Sequence, residues 1–176
     1  MANIFGTATP DTTTESDFFN VSLGVKFRAS VDGQVDSIRL YVGDGDPSVG
    51  AIYNTSGTQL VSVALSGLTG AGWTSVNFAS PLSITAETIY VAVVYWPGGE
   101  YPVTNFGLES AVINGDLEAL DDDESNNGVY NYGTGITYPT STYQASNYFT
   151  DIEFTVAAAG ASYPIRRNPL RSLIVR

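Results

Sequence analysis

Apolar and polar residues alternate along much of this chain with a period of two. In Val21–Ala29, the residues Val21, Leu23, Val25, Phe27 and Ala29 share one face, while Ser22, Gly24, Lys26 and Arg28 share the other. Successive side chains of an extended backbone point to opposite faces, so the pattern predicts a half-buried strand. Thr150, Ile152, Phe154 and Val156 repeat it, which predicts that Asp151, Glu153 and Thr155 face solvent. Ser37–Val42 places Ile38, Leu40 and Val42 inward. Ala51–Asn54 and Leu60–Leu65 flank a turn signal at Ser56-Gly57, and Asp32-Gly33 stands where a hairpin would turn. Trp73–Phe78 follows the glycine-rich GLTGAG. Ile89–Trp96 is apolar on both faces, as expected of a central strand covered from both sides. Asn3–Gly6 reads as a short edge strand, Tyr101–Val103 and Tyr130–Tyr132 as short strands, and Asn147–Val156 as the last one. Thr7–Asn20, Gly43–Gly50 and Asn105–Asn127 read as loops.

No stretch of residues 1–156 sustains the i, i+3, i+4, i+7 spacing of a surface helix. Many short strands between turn signals predict an all-β domain over residues 1–156: an antiparallel β-sandwich, jelly-roll-like, with immunoglobulin-like topology as the alternative. Residues 157–176 form a separate unit. A small-residue linker, Ala157–Ser162, leads into YPIRRNPLRSLIVR. Asn168-Pro169 reads as the cap and first position of a helix too short to hold alone in water. The expectation is a docking tail that orders against a neighbouring subunit through Ile165, Arg166, Arg167, Leu170, Arg171, Leu173, Ile174 and Arg176. A frayed terminus is the alternative.

Composition narrows the chemistry. The chain has 176 residues, enough for one domain with a real core. It has no histidine and no cysteine. Disulfides, Ser/His/Asp or Cys/His nucleophilic sites, and histidine or thiolate zinc sites are therefore excluded. No phosphate-cradling G-x-x-x-x-G-K loop occurs. A carboxylate pair acting on a glycosidic bond is what remains, and the acids read as solvated surface groups, so no enzyme is expected. All 18 acidic residues precede residue 154, and four of the seven basic residues lie in the last eleven positions. The body thus carries 3 − 18 = −15 and the tail +4. An acidic body repels phosphate backbones, so no nucleic acid is expected as a partner. No apolar run is long enough to insert into a membrane. The opening MANIFGTATP lacks the pattern of a secretory signal, which leads us to expect either a signal already removed or export by assembly into a particle.

Two residue sets carry binding chemistry. Trp96 and Tyr101 flank PGGE, and Tyr130, Tyr132, Tyr138 and Tyr143 lie in or near loops. Flat aromatic faces suit sugar C–H groups, with neighbouring Asn and Asp for the hydroxyls; plain packing is the alternative. Asp44 and Asp46 in GDGDPS, and Asp121 and Asp123 in the run Asp121–Glu124, offer oxygens to calcium, although neither stretch matches an EF-hand loop. No other cofactor is expected.

Several longer stretches occur in a specific order: IFGTATP (4–10), LGVKFRASVDGQVDSIRLY (23–41), GWTSVNFASPLSITAETIYVAVVYWPGGEY (72–101), NGVYNYG (127–133), YPTSTY (138–143) and NYFTDIEF (147–154). With these the chain resembles the bacterial family called domain of unknown function 4082. The resemblance implies a β-sandwich module of the kind appended to exported bacterial proteins, often beside immunoglobulin-like or sugar-active domains. It implies no catalytic residues. The chain departs from the family in its basic tail and in lacking a histidine in the loop matching Asp44–Gly50.

The expected function is a non-catalytic structural surface protein of a bacteriophage virion: a minor tail, tail-tip or capsid-decoration subunit. It would be held by its tail to other virion subunits as a homo-oligomer, with host-surface glycans as possible ligands. The alternative is a secreted, extracellular bacterial carbohydrate-binding module.

Overall fold

A computed structural model of the chain describes residues 1–68 and 70–158. The predicted docking residues, from Ile165 to Arg176, lie outside the described residues. In chain order the strands are β1 (Thr12–Ser16), β2 (Val21–Ala29), β3 (Gly33–Val42), β4 (Val49–Asn54), β5 (Gln59–Ala64) and β6 (Gly72–Ile84). There follow β7 (Tyr90–Trp96), β8 (Glu100–Val103), β9 (Val112–Asn114) and β10 (Leu117–Ala119). A single helical turn, α1 (Asp122–Ser125), precedes β11 (Val129–Tyr132), β12 (Ser141–Thr142) and β13 (Thr150–Val156).

These strands build the expected antiparallel β-sandwich. One layer is β13-β3-β6. The other runs β12-β11-β2-β7-β4-β5, widened by β10, which also pairs with β2, and by β9. A separate ribbon joins β1 to β8. The chain passes from one layer to the other between β2 and β3, β3 and β4, β5 and β6, β6 and β7, and β12 and β13. Such switching is the wrapping of a jelly-roll-like fold. The core lies between the layers, where Ile38, Leu40 and Phe154 meet Phe27, Val94 and Trp96. Gly50 of β4 is required there: a Cβ on it would lie 2.8 Å from a methyl of Ile38 in the facing layer.

Strand β7 is buried along its whole length, as its sequence predicts. Its second face is covered differently from the first. Val91 and Val93 join Ala51, Tyr53 and Val129 in a small outer core, roofed by Ile136 and Tyr138 from the loop after β11.

Several local expectations change. Asp32-Gly33 turns the chain, but β2 and β3 do not pair; the turn is a crossing between layers. Thr7–Asn20 contains β1, and Asn105–Asn127 contains β9, β10 and α1. Asn3–Gly6 is no edge strand. Its neighbour Ala2 makes one bridge, to Phe154. Asp151 supplies the reason, and it overturns the outward assignment of its side chain. It is fully buried, and its carboxylate accepts the backbone N–H groups of Ile4 (2.9 Å), Phe5 (3.1 Å) and Ile152 (2.7 Å). Arg39 Nη1 on β3 donates to the same carboxylate at 2.6 Å, while its Nη2 donates to Gly6 O at 2.6 Å. The Arg39 guanidinium also stacks 3.7 Å from the ring centre of Trp73 on β6, a cation–π contact. Glu153 is only half-buried, and its Oε1 accepts from Ser75 Oγ at 3.0 Å.

Burial pushes the Asp151 carboxyl up from its ordinary value, and the three N–H donors and Arg39 oppose it. Four donors on two oxygens hold the group as an acceptor. Asp151→Asn keeps the shape but strands a buried guanidinium, and breaking such a pair costs about 3–5 kcal/mol. Urea denaturation of the variant is expected to show a loss of that order; an unchanged midpoint would refute the pairing.

Candidate functional site

An open cleft of about 430 Å³ lies between the β1–β8 ribbon and the part of the larger sheet formed by β2 and β11. Its walls follow from register. Tyr130 and Tyr132 are two residues apart on β11 and so share a face; they pair with Leu23 and Val21 of β2, which form the floor. Tyr101 on β8 pairs with Glu15 on β1, and both line the cleft. Tyr143, Ser146 and Tyr148 enter from the segment between β12 and β13.

Asp17 ties the ribbon to the sheet. Its Oδ2 accepts the hydroxyls of Tyr101 and Tyr132, each at 2.6 Å. Its own N–H donates to Gly99 O at 3.0 Å, fixing the β1–β2 loop to the turn before β8. Rings meet edge to face in two pairs, Tyr101 with Tyr148 at 5.8 Å and Tyr130 with Tyr132 at 5.4 Å. Exposure differs across the set: Tyr101 and Tyr148 are buried, whereas Tyr132 and Tyr143 stand 48% and 55% exposed at the rim. Beyond the rim, Phe18 is 84% exposed and Phe19 packs edge-on against Tyr132.

Three loops beside the cleft hold non-glycine residues in the left-handed region, although Phe106, Gln144 and Ala145 themselves border a neighbouring hollow and not the cleft. Phe18 has φ 59°, Phe106 φ 62°, Gln144 φ 50° and Ala145 φ 44°. Each such residue costs of order 1–3 kcal/mol and clusters of them occur at ligand sites. The strain is held by backbone pairing: Phe106 N–H donates to Gln144 O and Leu108 N–H to Ala145 O, both at 2.8 Å.

Of the six aromatic candidates, Tyr101, Tyr130, Tyr132 and Tyr143 come together in this cleft. The other two do not, and both assignments are corrected. Trp96 is 1% exposed and sits in the main core, because its place on β7 turns the ring between the layers. Tyr138 packs on Tyr53 at 5.7 Å and its hydroxyl donates to Thr55 O, so it roofs the outer core. Tyr148, Glu15 and Asp17 were not foreseen as site residues. The only pointer to the last two was an aromatic pair, Phe18-Phe19, in an otherwise polar stretch.

The carboxylate candidates stay apart. Asp44 Oδ2 accepts from Thr14 Oγ1 at 3.2 Å, and Asp46 is exposed in the same loop. Asp121 caps α1 by accepting from Glu124 N at 2.6 Å, while Asp123 borders a second hollow with Asp122 and Glu109. Among the described residues no group of three or more His, Cys, Asp or Glu side chains is placed to hold a metal ion. No described helix is long and apolar enough to cross a membrane.

A family model described as a domain of unknown function, DUF4082, matches residues 7–150. The chain belongs to this family. The match takes in both layers, the ribbon and every wall of the cleft, and stops at the first residue of β13. No curated protein matches the chain.

The phenols of this DUF4082 domain give the cleft a readable titration. The hydrogen bond to Asp17, then burial, raises the Tyr132 phenol. Burial, then Asp17, raises Tyr101. Burial lifts Tyr148 to about 12. Phenols raised on folding contribute stability that is complete below about pH 10, where unfolded tyrosines begin to ionise, and that is lost as pH rises through the folded values. An ultraviolet titration is therefore expected to show late-ionising tyrosines. Asp17→Asn should return Tyr132 toward the ordinary range; identical curves for the two proteins would contradict the shared hydrogen bond.

Proposed function

We propose that the domain is a non-catalytic carbohydrate-binding module that works outside the cell. The observation that carries this is the cleft walled by five tyrosines, two of them half-exposed at the rim with their rings available to a ligand. Aromatic faces present area to the apolar sides of pyranose rings at little entropic cost, since a tyrosine has only two side-chain torsions to fix. Asp17, Glu15, Asn105 and Ser146 supply hydrogen-bonding groups beside them. The volume falls within the range of pre-formed small-ligand sites. Asp17 Oδ2 is already engaged by two phenols, and a positioned acceptor fits orientation of a ligand better than proton transfer.

A virion surface subunit anchored by residues 157–176 is the other expectation. It rests on a segment of which residues 159–176 lie outside the described residues, and no feature of the sandwich favours a particle over another carrier. Sugar binding at the cleft is compatible with either setting.

Affinity electrophoresis against a polysaccharide panel tests the reading. Retardation by at least one neutral or amino-sugar polymer is expected. Tyr132→Ala and Tyr143→Ala each remove an exposed ring and should weaken that retention about tenfold, the scale of one aromatic contact; Tyr143→Ala should do so without changing urea stability, whereas Tyr132→Ala also gives up the hydrogen bond to Asp17. Migration unaltered by every polymer would overturn it.

A further inference from the structure

The cleft is acidic as well as aromatic. Two carboxylates, Glu15 and Asp17, line it, and no lining residue is basic. The described basic side chains are engaged elsewhere. Arg28 pairs with Glu118 at 2.7 Å and Glu124 at 2.5 Å, Arg39 pairs with Asp151, and Lys26 donates to Ser125 O. Among the described residues Asp17 Oδ1 has no hydrogen-bond partner, while Oδ2 takes two phenol hydrogens. A phenol donating to a carboxylate gains electron density, and a richer ring face attracts a cation more strongly. The edge-to-face pairs set neighbouring rings steeply to one another, at 81° for Tyr101–Tyr148 and 66° for Tyr130–Tyr132. Rings at such angles beside a carboxylate make walls of the kind that hold an alkylammonium group.

We infer that the cleft takes a glycan bearing a positive charge: the free amine of an unacetylated hexosamine or a choline substituent. This rests on the carbohydrate-binding reading above. The ammonium sits against the tyrosine rings with Asp17 Oδ1 and Glu15 as counter-charges, and the sugar ring extends toward Tyr132 and Tyr143. Uronic and sulfated glycans are rejected, because their anions would be desolvated next to two carboxylates with no partner. The surrounding charge acts in the same direction, since the described residues carry −15.

Isothermal titration calorimetry on the full chain distinguishes the two levels. The probes are a glucosamine tetramer, its fully N-acetylated counterpart, choline chloride and a lysine peptide. The glucosamine tetramer is expected to bind about tenfold more tightly than the acetylated one, the scale of one desolvated cation–π contact. That advantage should vanish once the pH passes the amine's own pKa. Competition by choline chloride assigns the quaternary source, and its failure to compete assigns the primary amine. Glu15→Gln and Asp17→Asn should each reduce the preference for the charged tetramer; two variants guard against a folding defect in either. Equal binding of both tetramers overturns the charge inference and leaves the carbohydrate reading standing. Binding of choline with neither tetramer assigns the choline substituent, whereas binding of the lysine peptide with neither tetramer nor choline overturns the carbohydrate reading instead. No binding by any probe removes the proposal.

Discussion

One buried carboxylate sets the geometry of the amino-terminal half. Asp151 brings a charge into the interior, which is tolerated only because four donors surround it. Two of those donors are backbone groups of Ile4 and Phe5, which no strand partner serves. The carboxylate and Arg39 together seat residues 4–6 over the β13-β3-β6 sheet. From there the chain runs past Ala8, whose carbonyl accepts from Trp73 Nε1 at 2.8 Å, into β1. Strand β1 carries Glu15 and delivers Asp17 at its end. The acidic side of the cleft therefore depends on an ion pair in the other layer, and repositioning the first residues would displace it.

The opposite wall depends on Asn127. Strand β2 is paired by β10 at one end and β11 at the other, which leaves the backbone of Lys26 between them. The Asn127 side chain fills the gap as a strand residue would. Its Oδ1 accepts from Lys26 N at 2.7 Å, and its Nδ2 donates to Lys26 O at 2.9 Å and to Leu120 O at 2.8 Å. The side chain is wholly buried, and it gives a partner to Lys26 N and a second donor to Lys26 O, which also accepts from Leu120 N at 3.1 Å. The adjacent Gly128 has φ +70°, and a Cβ there would lie 2.1 Å from Ser146 O. Only glycine lets the chain turn into β11 at that spot, and β11 is what presents Tyr130 and Tyr132.

Much of the architecture was legible because alternation is local. Val21–Ala29 and the strand containing Ile152 could be read directly, and the turn at Ser56-Gly57 does join the paired strands β4 and β5. Pairing partners were not legible. Asp32-Gly33 has the chemistry of a hairpin, yet its flanking strands enter different layers, a choice made by contacts far away in sequence. Asp151 lies on the outward phase of its strand, and nothing nearby reveals that Arg39, 112 positions earlier, will cover it. The tyrosines divide for the same reason. Tyr132 and Tyr138 have similar surroundings in sequence, but one falls on the cleft side of β11 and the other folds back over Tyr53. Trp96 resembles a loop-end aromatic and is core, because β7 is covered on both faces. Left-handed residues such as Gln144 and Ala145 carry no sequence signal at all, since neither type favours that conformation.

The antiparallel bridge between Ala2 and Phe154 closes the sandwich on itself, with Met1 and Thr155 emerging side by side. The start of the described chain and the end of its last strand therefore lie close together. A pull applied at these two places would load that bridge and the adjoining end of the β13–β3 pairing first.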